Sequence, residues 1–487
     1  MQRLPKELYS VEQVREMDRL AIEDYAIPGI DLMRKAGHVV FELIQTHYAQ
    51  CLLAVFCGAG NNAGDGYVIA QLAKQAGFKV EVFYLSKPEN LKGDAATAYQ
   101  GFITSGGQAS AFNNDLDLTG RVLVDALLGT GLDRNVSGQY AEAISLINQA
   151  AIPVISVDIP SGLNADTGVV MGCAVVATWS VSFIGLKQGM FTGFAAEYCG
   201  QIIYADLDIP ETIFQSMSHA AQLITSVDFA KRARCAHKGH HGHVLLVGGD
   251  DGFSGAISLA SEAALRVGAG LVSVATRKSH ANLVNVTRPE LMCHGVEGCE
   301  ALLPLLNKAS VVVVGPGLGQ SLWAKKLLEA VIKSDKPLVI DADALNLLAT
   351  KRQYRDNWVL TPHPGEAARL LGCSTDDIAN NRFLAASQIQ TLYGGVIVLK
   401  GTGTLIDNGE GVSVSTTGNP GMASGGMGDV LAGMVAGLVA QQWTLAQAAN
   451  TAVFIHGEAA DLAAEVGGER GLLASDLMPF IRKLMNK

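Results

Sequence analysis

Residues 418–440 read GNPGMASGGMGDVLAGMVAGLVA, a run in which glycines crowd against one carboxylate, Asp429, just ahead of an apolar stretch. At a helix start, successive backbone N–H groups from Gly425 to Gly428 make an anion hole, because glycine permits the tight geometry and the helix dipole favours negative charge. A carboxylate there suits a base that takes a hydroxyl proton while the amides hold a transferring phosphoryl group. The plainer alternative is a helix cap, since Asp favours helix starts and Gly favours turns. The surrounding stretches weigh against it. LKGTGTLI (399–406) offers Lys400 and a loop of Gly401, Thr402, Gly403 and Thr404 suited to a nucleotide, and TPHPGE (361–366) fixes His363 and Glu366 on a rigid turn. GPGLG (315–319) lets a substrate approach backbone, and IDADALN (340–346) adds Asp341, Asp343 and Asn346 at a strand end. Nothing matches GxxxxGK[ST], so this is no P-loop.

The first half of the chain holds a second set. VFCGAGNNAGDG (55–66) runs from a strand through Gly58, Gly60, Asn61, Asn62 and Ala63 into a helix, formally a GxGxxA dinucleotide pattern. An ordinary NAD fold also wants an acid after the second strand, where FYLSKPE supplies Ser86 and Lys87, and Glu81 lies mid-strand. A hydride-transferring dehydrogenase is therefore disfavoured. Two further strands end on acids, Asp125 in VLVDALLGTGLDRN and Asp158 in SVDIPSGLNADTG. In a parallel sheet the carboxyl ends share one edge, so Asn61, Asn62, Asp65, Asp125, Asp158 and Ser161 converge beside Gly129 to Gly131. Either acid alone reads equally well as a loop cap; three Gly-flanked polar loops on one edge favour a binding site.

Elements of two kinds must position these residues. Residues 10–49 read as helices, opening on Ser10. Apolar runs at 52–57, 79–85, 122–128, 153–159 and 178–184, and again at 243–249, 271–276, 310–317, 337–343, 358–364 and 395–401, read as buried strands with helices between them, which predicts mostly parallel sheets. The polar stretch between the two series places a boundary near 212–225, giving domains 1–220 and 221–487 of class α/β. A length of 487 residues agrees with two or three domains. A 49% hydrophobic and 17% charged composition, without any run approaching the roughly 20 residues of a membrane span, fits strands buried on both faces. Net charge −10 without a Lys/Arg run points to small-molecule partners rather than nucleic acid or membrane. The start MQRLPKELYS carries no targeting pattern, which implies the cytoplasm, and eight scattered cysteines imply reduced thiols. HKGHHGH (237–243) lacks standard zinc spacing and reads as a loop with imidazoles near phosphate or solvent.

GAGNNAGDG, DALLGTGL and VDIPSGLNADTG together resemble the N-terminal epimerase domain of the bifunctional NAD(P)H-hydrate repair enzymes, over residues 10–212. The resemblance implies a Rossmann-like three-layer domain that binds a hydrated nicotinamide nucleotide and K⁺. It places substrate contacts at Asn61, Asn62, Ala63, Gly64 and Asp65, at Gly129, Thr130, Gly131, Leu132, Asp133, Arg134 and Asn135, and at Tyr140 and Asp158. It places the ion at Asn62, Asp125 and Ser161, whose oxygens suit a hard cation. Ala63 stands where that family usually has Gly. VVGPGLG, IDADALN, LTPHPGE, KGTGT and GNPGMASGGMGDVLAG resemble the ribokinase-like ADP/ATP-dependent dehydratase domain of the same enzymes, over 225–487. This implies substrate contacts at Ala256, Gly317, His363 and Asp429 and nucleotide contacts at Lys400 to Thr404 and Gly428. ADP is the expected donor, Mg²⁺ the expected ion with Glu366 as a candidate for organising it, and a homo-oligomer the expected assembly. Asp158 is the candidate acid or base of epimerisation and Asp429 the base of dehydration. Two other readings stay open: a ribokinase-like small-molecule kinase sharing the Asp429 site, and a non-catalytic nucleotide-binding protein.

Overall fold

The computed structural model describes residues 4–49, 51–229 and 231–486, in two compact units that divide at Gln222 and Leu223. In the first unit, seven parallel strands lie in the order Ala109–Ala111, Lys79–Tyr84, Leu52–Cys57, Arg121–Ala126, Val154–Val157, Trp179–Phe183 and Gln201–Ala205. Leu53, Val55 and Cys57 join one core with the helices Gly29–His47 and Asn61–Gln75, while Ala54 and Phe56 join another with the helix Gln139–Gln149. The strand is buried on both faces, which is why its sequence is continuously apolar. Strand order reverses between Leu52–Cys57 and Arg121–Ala126, so the loops leaving these two neighbours splay apart and open a crevice at their carboxyl ends. The helix Val11–Glu23 starts on a capping box: Gln13 N–H donates to Ser10 Oγ (3.2 Å), and Ser10 N–H to Gln13 Oε1 (2.9 Å).

In the second unit the order is Met292–Gly295, Leu271–Thr276, His243–Val247, Val311–Val314, Leu338–Ile340, Trp358–Leu360 and Val396–Leu399, all parallel, followed by the antiparallel strands Thr404–Asp407 and Val412–Ser415. The helix Met427–Ala440 is apolar nearly all round and almost wholly buried. It packs on the helix Ser254–Arg266, and Gly433 makes this possible: a Cβ there would overlap the Ala260 carbonyl.

Several expected strands are shorter than the apolar runs suggest. The runs 122–128 and 153–159 leave the sheet at Ala126 and Val157, and the run 337–343 leaves it at Ile340, where Asp341 already begins the helix Ala342–Thr350. The strands Gln201–Ala205, Ala109–Ala111 and Met292–Gly295 and the terminal hairpin were not anticipated. Each is only three to five residues long, and its alternation is too brief to read. Among the described residues no helix is long and apolar enough to cross a membrane, and all eight cysteines are unpaired. His237 accepts the Gly239 N–H (3.2 Å) and stacks on His240, closing a short turn.

Candidate active sites

The crevice of the first unit is a cavity of about 530 Å³ lined by Asn61, Asn62 and Asp65, by the loop 128–134, and by Asp158. These expected contacts come together; Ala63, Gly64, Asn135 and Tyr140 stand off the cavity wall. Ala63 is fully buried in the helix Asn61–Gln75 with φ negative, so alanine is accommodated there. Gly64 lets the helix approach Met33, Asn135 is exposed, and the Tyr140 hydroxyl pairs with Ser86 Oγ (3.0 Å). Asp125 is fully buried beneath the loops, accepting from Ser156 Oγ (2.8 Å), Ser161 N–H (2.9 Å), Ser161 Oγ (2.5 Å) and Leu127 N–H (3.3 Å). Burial raises its pKa against the pull of those bonds. Ser161 Oγ reaches the Leu128 carbonyl (3.1 Å), and Asn62 packs beside Gly129 with both of its amide atoms buried and unpartnered. The orphaned Asn62 amide beside Gly129, and the Asp125, Ser161 and Leu128 oxygens clustered at the preceding residue of that loop, are of the kind a hard monovalent cation takes.

In the second unit Asp429 is the third residue of the helix Met427–Ala440, whose cap, Gly426, takes φ +92°, a conformation open to glycine. Burial, and next the negative charge of Asp341, push the Asp429 carboxyl up to about 7, with Lys400 pulling the other way. Lys400 Nζ lies 2.8 Å from Asp341 Oδ1 and 3.8 Å from Glu366 Oε2. Burial opposes the Lys400 charge, but these two carboxylates outweigh it and its pKa is raised. A Cβ on Gly428 would lie 3.1 Å from Lys400 Nζ, so bare backbone is what seats the ammonium against the helix start. His363 Nδ1 accepts the Gly365 N–H (3.0 Å) while Glu366 Oε2 accepts the His363 N–H (2.8 Å), a reciprocal cap on the helix Pro364–Leu371. Burial first, then Lys400, lowers the His363 pKa, leaving a neutral imidazole at pH 7. Gly317 sits at φ +56°, where a Cβ would fall 2.7 Å from the Phe253 carbonyl, close to Ala256 in the first turn of its helix. Gly319 N–H donates to Asp343 Oδ2 (2.9 Å), tying the GPGLG loop to IDADALN.

Residues 244–483 match the family profile described as NAD(P)H-hydrate dehydratase, and residues 29–189 that described as YjeF-related protein N-terminus. The bifunctional NAD(P)H-hydrate repair enzyme Nnr of Coxiella burnetii is 49% identical over 485 residues, 98% of this chain and 99% of that protein. The chain belongs to the bifunctional NAD(P)H-hydrate repair enzymes. The enzyme of the same name from Escherichia coli K12 is 41% identical over 99% of this chain and 95% of its own length. A solved hypothetical protein of Streptococcus mutans superposes with TM-score 0.50 at 32% identity, covering 53% of this chain and 94% of its own. As a member of the NAD(P)H-hydrate repair family the chain is an enzyme with an epimerase and a dehydratase domain, the first Rossmann-like and the second ribokinase-like.

Four residues at or beside the two candidate sites escaped the motifs. Asp18, from the helix Val11–Glu23, and Lys187, from the two-residue strand Leu186–Lys187, both line the first cavity. Arg382 is 5% exposed and donates to the carbonyls of Leu399 (3.2 Å), Lys400 (3.3 Å) and Gly403 (3.4 Å), which fixes the KGTGT loop. His456 is buried in the helix Leu445–Gly467 with Nε2 unpartnered, its pKa lowered to about 4 by burial and then by Lys400. Only the GLK of FIGLKQG, a lone cation in an apolar stretch, carried any signal in the sequence.

Proposed function

We propose that the first cavity interconverts the R and S forms of NADH and NADPH hydrated at C6 of the nicotinamide ring, and that the Asp429 site dehydrates the S form at the expense of ADP. The observation that carries the second half is Asp429 itself, a carboxyl pushed up to about 7 at the amino end of a glycine-lined helix beside the partly buried Lys400. A base of that strength is matched to neutral solution. Asp429 takes the C6 hydroxyl proton as the oxygen attacks the terminal phosphoryl group of ADP, whose bond to the bridging oxygen breaks and releases AMP. The Gly425 to Gly428 amides and Lys400 stabilise the charge that develops on the transferring group. Phosphate then leaves from C6, driven by the ring nitrogen lone pair, and loss of a C5 proton restores the dihydropyridine. His363, Ala256 and Gly317 bind the hydrate, and Lys400 to Thr404 with Gly428 bind the nucleotide.

When bound with the nucleotide, Mg²⁺ would neutralise charge on its phosphates. Glu366 would be a candidate for holding it, although its Oε2 already accepts the His363 N–H and lies 3.8 Å from Lys400 Nζ. K⁺ is assigned to Asn62, Asp125 and Ser161, supported by the orphaned Asn62 amide. Cytoplasmic residence and a homo-oligomeric assembly belong to the same proposal. The deciding assay incubates the protein with mixed R and S NADH hydrates, Mg²⁺ and either ADP or ATP, following the absorbance of regenerated NADH. Full conversion with release of phosphate is expected. A stable phosphorylated product without NADH would turn the reading to a small-molecule kinase, and saturable binding without turnover to a nucleotide-binding protein.

A further inference from the structure

Lys187 belongs to none of the motifs, yet its ammonium is wholly buried at the wall of the first cavity. It donates to Asp158 Oδ1, to Ser182 Oγ (3.1 Å) and to the Phe183 carbonyl (3.0 Å). Asp158 leaves its strand at φ +68°, a strained conformation for a non-glycine residue, with its N–H on the Val181 carbonyl (2.8 Å). Its Oδ1 also accepts the Phe183 N–H (3.2 Å), while Oδ2 accepts nothing from the described residues. One carboxylate oxygen is thus pinned to the wall and the other is left for a ligand.

Asp65 faces the same space. It is three residues beyond Asn62 on the first turns of the helix Asn61–Gln75, so both side chains point to one side. It is 9% exposed, and no described residue donates a hydrogen bond to its carboxyl. The charged groups around the cavity come from every element that lines it: Arg15 and Asp18 from the helix Val11–Glu23, Asp94 from the helix Gly93–Thr104, Asp133 and Arg134 from the loop, and Asp158 with Lys187. Burial, then the charges of Asp158 and Asp18, raise the Asp65 carboxyl well above its ordinary value, against the pull of Lys187. Asp18 is raised as well, by burial and then by Asp158 and Asp94. The cluster therefore holds one carboxylate paired with an ammonium and another carboxyl, without a counter-charge of its own, whose burial favours the protonated form.

We propose that Asp65 and Asp158 divide the acid and base work of C6 epimerisation, with Lys187 as the positioning residue that orients Asp158. The inference rests on reading this cavity as the epimerase site. Asp65 gives its proton to the C6 oxygen as the C–O bond breaks and water departs; the ring nitrogen lone pair moves into a C6=N bond. Water returns to the opposite face, its oxygen bonds to C6, its proton passes to Asp158, and the electron pair goes back to nitrogen. Solvent then carries the proton from Asp158 to Asp65, and no oxidant or reductant is consumed.

The test follows R/S interconversion of NADH hydrate by chromatography in ¹⁸O-labelled water with the full chain, using dehydration of the S form as the measure of intact protein. Wild type should place ¹⁸O at C6 and lose activity at high pH as Asp65 ionises. Asp65→Asn should lower kcat on the order of 10²- to 10⁴-fold, with KM little changed and the alkaline fall abolished, and Asp65→Glu should recover part of the rate. Lys187→Met should displace the acidic limb of the pH profile, and Lys187→Arg should restore it. Interconversion without ¹⁸O incorporation would overturn the proposal and leave the epimerase reading standing, as would near-normal kcat in Asp65→Asn. An alkaline limb removed by Asp18→Asn instead would overturn it in favour of Asp18. Wild-type protein that does not interconvert the epimers at all would remove the epimerase reading itself.

Discussion

Asp429→Asn separates two consequences of one buried carboxyl. Its pKa of about 7, against an ordinary 3.8, means that the folded protein holds a proton across a range in which the unfolded chain has released it. Stability is therefore lost as pH rises from about 4 to about 7, and the full deficit persists above that; it amounts to at most about 4 kcal/mol before solvent screening. Asparagine carries no charge, so the variant should unfold at a higher temperature than wild type at pH 8 and at nearly the same temperature at pH 4. Activity runs the other way. Dehydration needs the ionised base, so the wild-type rate should climb through pH 7 while phosphate release by the variant falls on the order of 10²- to 10⁴-fold, roughly 3–5 kcal/mol of transition-state stabilisation. Epimerisation, which belongs to the other unit, should be unchanged. The assay is phosphate release from ADP with the S hydrate, paired with thermal unfolding at both pH values. Near-normal phosphate release by Asp429→Asn, or a variant less stable than wild type at pH 8, would refute the reasoning.

Lys400→Met should destabilise the protein by about 3–5 kcal/mol in urea unfolding, because Asp341 and Glu366, 2% and 5% exposed, lose their shared counter-charge; adding Asp341→Asn should recover much of that loss. Gly433→Ala should cost roughly 1–3 kcal/mol by forcing the helix Met427–Ala440 away from the Ala260 carbonyl, seen as a lower melting temperature. Asn62→Ala removes two unpartnered buried amide atoms, each costing about 1–3 kcal/mol, so it should not lower the melting temperature in potassium-free buffer. It should abolish the rise that KCl gives wild type; a rise that survives would take Asn62 out of the ion site.

The α/β class, the two series of strands and the loops that carry chemistry are legible in the amino-acid sequence alone. This is so because a strand buried on both faces must be apolar along its whole length, and because parallel strands bring their carboxyl-end loops to one edge. Asn61, Asn62, Asp65 and Asp158 were legible for that reason, as was the glycine run before Asp429. Which charges meet is settled only when distant segments pack. Asp158 and Lys187 are 29 residues apart, and Asp341 and Lys400 are 59 apart. Glu366 and Lys400 are 34 residues apart, and only folding brings Glu366 Oε2, which caps His363, to 3.8 Å from the ammonium. Asp18 and Arg382 come from helices whose own sequences give no sign of a ligand. Local spacing specifies which face of an element a side chain occupies, whereas ionisation and pairing depend on burial and on charges delivered by distant segments, and those exist only once the chain has folded.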